Sequence, residues 1–382
     1  MFKSFFLGGF ECATGYNRHG QWIDLLAATW HDQHADEDYR RLREVGILAA
    51  RDAIRRPLVD QGRGRYDFSS VQPLVRAARR HGVCVIWDLF HYGFPADVDL
   101  LSSHFPERFA DYCAACARHL RSQLMHPLWF TPINEPSFFS WAAGQDAQFA
   151  PHLRGCGPAL KVALARASIQ AVNAIRAEVP SARFLHADPV CRVVPADLSA
   201  HTLQEVQRFN DEAVFESWDM ISGRLRPELG GSRAHLDVVG INHYWTCQWT
   251  HGQPGTWLAD DDPRRLPMRD IVRLVWQRYG GELLIAETSH WGEHRAPYLR
   301  QIGQEVEALL AEGVPLRGVC LYPILGMCEW HEPDRWLPMG LWELDRSQGM
   351  RRQLHVPMGD ALRQVQARLL RTADRAGWKR VA

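Results

Sequence analysis

Short apolar runs bounded by turn-forming residues recur eight times along the 382-residue chain. Each run is four to seven residues long, which is typical of strands that are buried on both faces. The predicted strands are 5–10, 47–53, 83–89, 128–133, 183–187, 236–241, 283–286 and 318–322.

Segments in which apolar residues recur with a helical period lie between these runs. The predicted helices are 37–45, 70–81, 107–124, 159–178, 203–218, 268–279, 298–312 and 358–370. A doubly wound sheet also alternates strands with helices, but eight of each is the number that a closed parallel barrel requires. The sequence therefore predicts the α/β class, with a single (β/α)8 TIM barrel that forms one catalytic domain over residues 1–382.

Composition narrows the classes of partner and compartment. Lysine plus arginine and aspartate plus glutamate number 44 each, so no global positive field attracts nucleic acid or an anionic membrane. No window offers the roughly 20 uninterrupted apolar residues of a membrane span. The apolar start of the chain meets Glu11 before a signal-peptide core is complete, and the nine cysteines are an odd number. These features predict a soluble, cytoplasmic protein with reduced thiols, and they do not indicate an oligomeric state.

Two carboxylates stand where predicted strands end. Glu135 follows the fourth strand within Asn134-Glu135-Pro136, and Glu287 follows the seventh. An ion pair with one of the many arginines would explain either one alone, because a partly buried unpaired charge costs several kcal/mol. Strand ends four and seven face each other across a barrel mouth, where barrel enzymes place their catalytic groups. Two carboxylates that flank one bond are the requirement for glycoside cleavage.

Six motifs in this order resemble those of glycoside hydrolase family 1, the β-glucosidase family of retaining barrel enzymes. The resemblance covers nearly the whole chain. The motifs are Ala-Ala-Arg51, Leu89-Phe-His91-Tyr92, Asn134-Glu135-Pro136, Gly240-Ile-Asn-His-Tyr244, Cys328-Glu329-Trp330 and Gly340-Leu-Trp-Glu-Leu-Asp345.

The resemblance implies a retaining β-glycosidase that acts on β-linked gluco- or galacto-configured sugars. Glu135 is then the acid/base and Glu287 the nucleophile, with no metal and no cofactor. The implied substrate-binding residues are Arg51, His91, Asn134, Tyr244, Glu329 and Trp330. Because Glu329 would repel a phosphate, 6-phosphoglycosides are disfavoured as substrates.

The chain departs from the family pattern at several positions. The first-strand glutamine of the family has no clear counterpart other than Glu11, Tyr322 replaces a tryptophan, and the residues after Glu287 differ. A transglycosylase would use the same two glutamates, and a carbohydrate-binding pseudoenzyme on the same barrel also remains open. A third alternative is a metal-dependent barrel hydrolase with ligands from His31 and His34 and from the segment 290–294.

Two further segments have a structural and a functional interpretation. Cys113 and Cys116 have CxxC spacing, but they lie within a predicted helix, which favours a core role over metal binding. The irregular stretch 244–267 carries three tryptophans and would follow the sixth strand. It is predicted to be a lid or a sugar-stacking platform, with an ordinary surface loop as the alternative.

Overall fold

Eight parallel strands close into a barrel in the computed structural model, which describes residues 2–253 and 255–375. The strands are β1 (Phe6–Gly9), β2 (Ala49–Ala53), β3 (Cys84–Asp88), β4 (Trp129–Thr131), β5 (Arg183–Pro189), β6 (Val238–Asn242), β7 (Glu282–Thr288) and β8 (Leu316–Leu321). Each strand pairs with the next along the chain, and β8 pairs with β1. The predicted TIM barrel is confirmed, and every barrel strand overlaps its predicted run.

Eight longer helices follow the strands and surround the barrel. They are α1 (His31–Glu44), α2 (Gln72–His81), α3 (Phe105–Arg121), α4 (Gly157–Glu178), α5 (Ala200–Asp211), α6 (Met268–Tyr279), α7 (Arg295–Ala311) and α8 (Val356–Arg375). Cys113 and Cys116 are buried within α3, as the core-helix interpretation predicts. No helix in the described part of the chain combines the length and the apolar character needed to cross a bilayer.

The prediction of one continuous helix over 203–218 is wrong. The helix α5 ends at Asp211, a 3-10 turn covers Ala213–Phe215, and a separate helix runs over Glu216–Ile221. The break lets the chain change direction so that Trp218 is buried and its indole Nε1 donates to the carbonyl oxygen of His186 at 3.0 Å. Apolar periodicity counts both segments alike, because it does not register the turn between them.

Shorter elements fill the loops. The short helices are Leu25–Ala28, Arg56–Val59 and Pro136–Phe139, followed by a π-helical turn at Ser140–Gln145. Further 3-10 turns cover Pro227–Leu229, Trp245–Cys247, Gly292–His294 and Arg346–Gln348. Small two-stranded sheets pair Thr14–Tyr16 with Trp22–Asp24, Arg192–Val194 with Gln248–Thr250, Met327–Cys328 with Trp336–Leu337, and Trp342–Asp345 with Arg351–Leu354.

Apolar side chains form two layers of core. Leu7, Ile86, Leu185 and Leu284 fill the barrel interior together with Trp129. A larger cluster lies between the strands and the helices. The interior is therefore a packed core and not a channel, so a small molecule can enter only at a mouth of the barrel.

Candidate active site

The mouth at the carboxyl ends of the strands contains a cavity of about 240 Å³. Its wall combines carboxylates, aromatic rings and a few aliphatic side chains. The lining residues are Glu11, His91, Tyr92, Glu135, Tyr244, Trp245, Thr246, Glu287, Pro323, Met327, Glu329, Trp330, Leu337 and Met339. Of the eight residues predicted to form the site, six line this cavity.

Glu287 lies near the carboxyl end of β7 and is only 4% exposed. One carboxylate oxygen accepts a hydrogen bond from Nη1 of Arg51 at 2.8 Å, and the other accepts from the hydroxyl of Tyr244 at 2.8 Å. A guanidinium and a phenol directed at the two oxygens stabilise the ionised carboxylate. Glu287 is therefore held in one orientation by an ion pair with Arg51 and a hydrogen bond from Tyr244.

Arg51 lies on β2 beneath the cavity and is fully buried. Its Nη2 donates to Asp88 at 2.6 Å and to the side-chain oxygen of Asn134 at 2.9 Å, while Nη1 also donates to the carbonyl oxygen of Ala286 at 2.9 Å. The pKa of Arg51 is well above its usual value: burial opposes the charge, but the carboxylates of Asp88 and Glu287 outweigh it. Arg51 thus connects the ends of four strands.

Glu135 follows the short segment 132–134 after β4 and has a left-handed backbone, φ 49°. Its backbone N–H donates to the carbonyl oxygen of Ala187 on β5 at 2.9 Å, which secures this uncommon conformation. The side chain accepts from the hydroxyl of Tyr92 at 2.6 Å and from Nδ2 of Asn242 at 2.8 Å. Neither donor is a cation, in contrast to the guanidinium on Glu287.

The pKa of Glu135 is raised to about 8, first by burial and then by the negative charge of Glu287. The hydrogen bonds from Tyr92 and Asn242 oppose this shift. The cavity therefore holds one carboxyl group with a raised pKa and one that is paired with a guanidinium. Two different environments of this kind are what an acid and its partner base require.

Asp188 positions the turn that carries Glu135. It ends β5, and its carboxylate accepts from the backbone N–H of Ser137 at 3.0 Å and from the hydroxyls of Ser137 and Ser217. The pKa of Asp188 is raised to about 6 by burial, although these hydrogen bonds lower it. A carboxylate at the first turn of the helix Pro136–Phe139 satisfies backbone donors that would otherwise lack a partner.

His91 and Asn134 contact each other at one side of the mouth. The side-chain oxygen of Asn134 accepts from Arg51, so its Nδ2 is the atom that faces Nε2 of His91, at 3.3 Å. On the other side of the ring, Nδ1 of His91 lies 3.2 Å from Asp88. Burial opposes a charge on His91, but the interactions with Cys12, Asp88 and Glu11 outweigh it and hold the pKa of His91 well above its usual value. Asn134 itself does not line the cavity.

Glu329 and Trp330 follow β8 and both border the cavity. One carboxylate oxygen of Glu329 accepts from the backbone N–H groups of His331 and Glu332, each at 2.6 Å, which fixes the loop. Trp330 packs against Tyr92 and Phe149, with ring centroids 5.9 and 5.6 Å away. Glu329 thus has a structural task in its own loop in addition to its position at the mouth.

The segment 244–267 does not act as a unit. Trp245 lines the cavity and stacks on His290, with ring centroids 4.7 Å apart. Trp249 packs against Phe209 on the outer side, whereas Trp257 is 52% exposed. Only one of the three tryptophans is therefore placed to contact a molecule in the cavity, and residue 254 lies outside the described residues.

The histidines of the metal-hydrolase alternative do not converge. His31 is fully buried, with its ring nitrogens 2.8 and 3.0 Å from Asp38 and Asp52. His290 and His294 do lie beside Asp260. However, Nδ1 of His290 accepts from the next backbone N–H at 2.9 Å, and Nε2 faces Asp260 at 3.1 Å. That is the pattern of a neutral imidazole which already donates to a carboxylate.

Four site residues escaped the sequence prediction: Glu11 as a wall residue, Asp88, Tyr92 and Asn242. A usable signal was present for three of them, since Asp88, Tyr92 and Asn242 end or closely follow predicted strands, as Glu135 and Glu287 do. Their residue types weaken this signal. A tyrosine or an asparagine at a strand end carries no charge that would indicate a site, and Asp88 lies within its apolar run.

No protein-family model matches the sequence, and no curated protein matches it. Solved structures do match its fold. A family 1 β-glucosidase from Thermotoga maritima has a TM-score of 0.76 at 16% identity, over 95% of this chain and 97% of that one. The β-glucosidase from Thermotoga maritima in complex with deoxynojirimycin gives 0.75 at 16% identity, over 97% and 98%. At the level of the fold, the resemblance to family 1 is confirmed.

Proposed function

We propose that this protein is a retaining β-glycosidase that hydrolyses β-linked gluco- or galacto-configured glycosides by double displacement. The observation that carries the proposal is the pair of buried glutamates in one cavity, of which Glu135 has a raised pKa and Glu287 is paired with Arg51 and Tyr244. The solved structures of the same fold are described as β-glucosidases, some of them in complex with sugar-like inhibitors.

In the proposed first step, Glu287 attacks the anomeric carbon while Glu135 protonates the departing oxygen. The glycosidic bond breaks, and an ester bond forms between the sugar and the carboxylate of Glu287. In the second step, Glu135, now ionised, removes a proton from water, which attacks the anomeric carbon and releases Glu287. Arg51 and Tyr244 orient the attacking carboxylate in the first step. In the second step they stabilise the carboxylate that forms again when the ester bond breaks.

The size of the cavity supports an exo-acting enzyme. A volume of about 240 Å³ lies below the roughly 300 to 1,000 Å³ of pockets that take drug-sized ligands, so it suits one sugar ring better than a long chain. Trp330 and Trp245 offer flat apolar faces for such a ring.

A panel of 4-nitrophenyl β-glycosides tests the proposal. We expect turnover of the glucoside or the galactoside, with a β-configured sugar as the first product in the proton NMR spectrum. The Glu287→Gln variant serves as the control and should show only background hydrolysis. Sugar binding without turnover would favour the carbohydrate-binding alternative, and an α-configured first product would exclude retention.

The pH profile should report the environment of Glu135. Because Glu135 must be protonated for the first step and has a pKa of about 8, kcat/KM should fall as the pH rises through about 8. The hydrogen bond from Tyr92 lowers this pKa, so Tyr92→Phe should move the alkaline limb to higher pH. Tyr244→Phe is the matched control, since its hydroxyl contacts Glu287, and it should reduce the rate without that shift. An unchanged alkaline limb in Tyr92→Phe would remove Glu135 as the acid.

Glu329→Gln should lower kcat/KM on β-glucosides by about 10- to 150-fold, equivalent to roughly 1.5–3 kcal/mol of charge-assisted hydrogen bonding to sugar hydroxyls. Glutamine keeps one side-chain oxygen to accept from the backbone of residues 331 and 332, so the loop is retained. Glu332→Gln, at an exposed position of the same loop, is the matched control. Equal kcat/KM values for Glu329→Gln and the parent would disprove the sugar-binding role.

A further inference from the structure

The wall of the cavity has an excess of negative charge. Four of its residues are glutamates, and no lysine or arginine is among the described residues that line it. Besides the reacting pair Glu135 and Glu287, two further carboxyl groups face the same small space: Glu11 and Glu329.

The cations behind the wall do not neutralise this charge. Arg51 is shared between Glu287 and Asp88, at 2.8 and 2.6 Å. His91 is the basic residue of the wall itself; its Nδ1 lies 3.2 Å from Asp88 and its Nε2 lies 3.9 Å from Glu11. If His91 is counted as a full cation, it and Arg51 supply two positive charges. The carboxyl groups that they face number four: Asp88 behind the wall, and Glu11, Glu287 and Glu329 in it. Because Glu11, Asp88 and Glu287 are buried, their fields are weakly screened by salt.

Glu11 is the carboxylate that the proposed mechanism leaves unused. It follows β1 and is 7% exposed, and one of its oxygens accepts from the backbone N–H of Ala13 at 3.0 Å. Burial raises the pKa of Glu11, and the charge of Glu287 raises it further, although His91 and the hydrogen bond from Ala13 oppose the shift. A raised pKa means that the charge of Glu11 lacks compensation by the protein, and a cationic ligand would stabilise its ionised form.

The topology locates this excess charge relative to the reacting groups. Glu11 follows β1 and Glu329 follows β8, and these two strands are neighbours in the barrel. Glu135 and Glu287 follow β4 and β7. In the proposed mechanism the anomeric carbon lies between Glu135 and Glu287, so carbon 2, which is bonded to it, stays beside this pair. The side of β1 and β8 therefore faces the more distant carbons of the ring.

We propose that the preferred substrate is a β-glycoside whose terminal sugar carries a protonated primary amine on carbon 3, 4 or 6. The ammonium group donates to Glu11, with Glu329 close enough to add to the favourable potential. This inference rests on the proposed function, because it assumes that the cavity binds a sugar, and it adds the chemical class of that sugar. Three ammonium hydrogens directed at carboxylates satisfy charges that a hydroxyl group leaves uncompensated.

The test compares 4-nitrophenyl β-glucosides that carry an amine at carbon 2, 3, 4 or 6 with the parent glucoside. We expect at least one of the 3-, 4- and 6-amino substrates to exceed the parent in kcat/KM by about tenfold or more, the range of a charge-assisted hydrogen bond. The 2-amino substrate is the positional control and should show no such gain. Acetylation of the effective amine, which removes its charge, should abolish the gain.

The Glu11→Gln variant assigns the effect to one residue. Glutamine has nearly the same shape and lacks the charge, so the amine-to-hydroxyl ratio of kcat/KM should fall about tenfold in this variant. Glu332→Gln, at an exposed position outside the cavity wall, should keep the parent ratio. A wild-type ratio of one or less for all three amines, or a ratio that Glu11→Gln does not change, would overturn the proposal.

Calorimetric titration with the corresponding methyl amino-glucosides separates this inference from the proposed function. If no aryl glycoside is turned over, the glycosidase proposal fails. Tighter binding of a methyl amino-glucoside than of methyl β-glucoside, lost in Glu11→Gln, would still support the amine site. Equal binding of the amine and the hydroxyl compound would contradict it whether or not turnover occurs.

Discussion

Replacing Glu287 with glycine is expected to lower kcat on aryl β-glycosides by roughly 10⁴-fold or more, equivalent to about 5.4 kcal/mol of activation free energy. The variant removes the group that would form the covalent bond to the sugar. Arg51 retains Asp88 at 2.6 Å and Asn134 at 2.9 Å, so the buried guanidinium is not left without partners and the barrel should fold. Steady-state kinetics and circular dichroism measure the two effects separately.

Added azide supplies the decisive control for Glu287→Gly. A small anion that enters the vacated space attacks the same face of the sugar, so the rescued product should be the α-glycosyl azide. Rescue that yields the β-azide would show that Glu287 is not the nucleophile.

A second readout concerns Glu135: its pKa of about 8 is raised partly by the charge of Glu287. In Glu287→Gln this pKa should therefore fall, as a carboxyl ¹³C NMR titration would detect.

Replacing Glu135 with alanine is expected to reduce kcat/KM by about 10²- to 10⁴-fold on substrates with a poor leaving group. A dinitrophenolate leaves without protonation, so the first step on 2,4-dinitrophenyl glycosides should be nearly preserved and the intermediate should accumulate. The fall of kcat/KM at alkaline pH should disappear, because the group responsible for it is gone. Stopped-flow kinetics with the two substrate types makes the comparison.

Azide again distinguishes the roles. In Glu135→Ala it attacks the glycosyl-enzyme from the face opposite Glu287, and the expected product is the β-glycosyl azide. Glu135→Gln is the isosteric companion, since its side-chain oxygen still accepts from Asn242 and tests whether a loss in the alanine variant comes from the cavity it creates. An equal loss on substrates with good and poor leaving groups would contradict the role of acid.

The barrel was predictable because its signal is repeated. Each strand is an apolar run between turn residues, and eight runs with intervening helices leave few alternatives. The strand pattern also predicted the positions of Glu135 and Glu287. A charged residue at the end of a buried strand is costly, which indicates a functional role. The break after Asp211 was not predictable, because residues on both sides of it have helical periodicity and only the burial of Trp218 separates them.

Other parts of the site depend on contacts between distant residues. That Tyr92 and Asn242 both reach Glu135 is decided by side-chain directions across three strand ends, which sequence spacing does not encode. The double task of Glu329 is hidden for the same reason, since its hydrogen bonds to the backbone of residues 331 and 332 belong to a local turn. The sequence does not show the charge excess at Glu11, because this excess depends on which residues line the cavity.

The two glutamates of the mouth share one support. Asn242, the last residue of β6, donates to Glu135, and Tyr244, two residues later, donates to Glu287. When this segment moves, both donors move in the same direction, which tends to keep the distance between the two carboxyl groups constant. Under the proposed mechanism, spacing decides stereochemistry: about 5–5.5 Å serves retention, and about 6.5–9.5 Å serves inversion. Because both donors lie on one segment, thermal motion changes this distance little, and the anomeric configuration of the products is preserved.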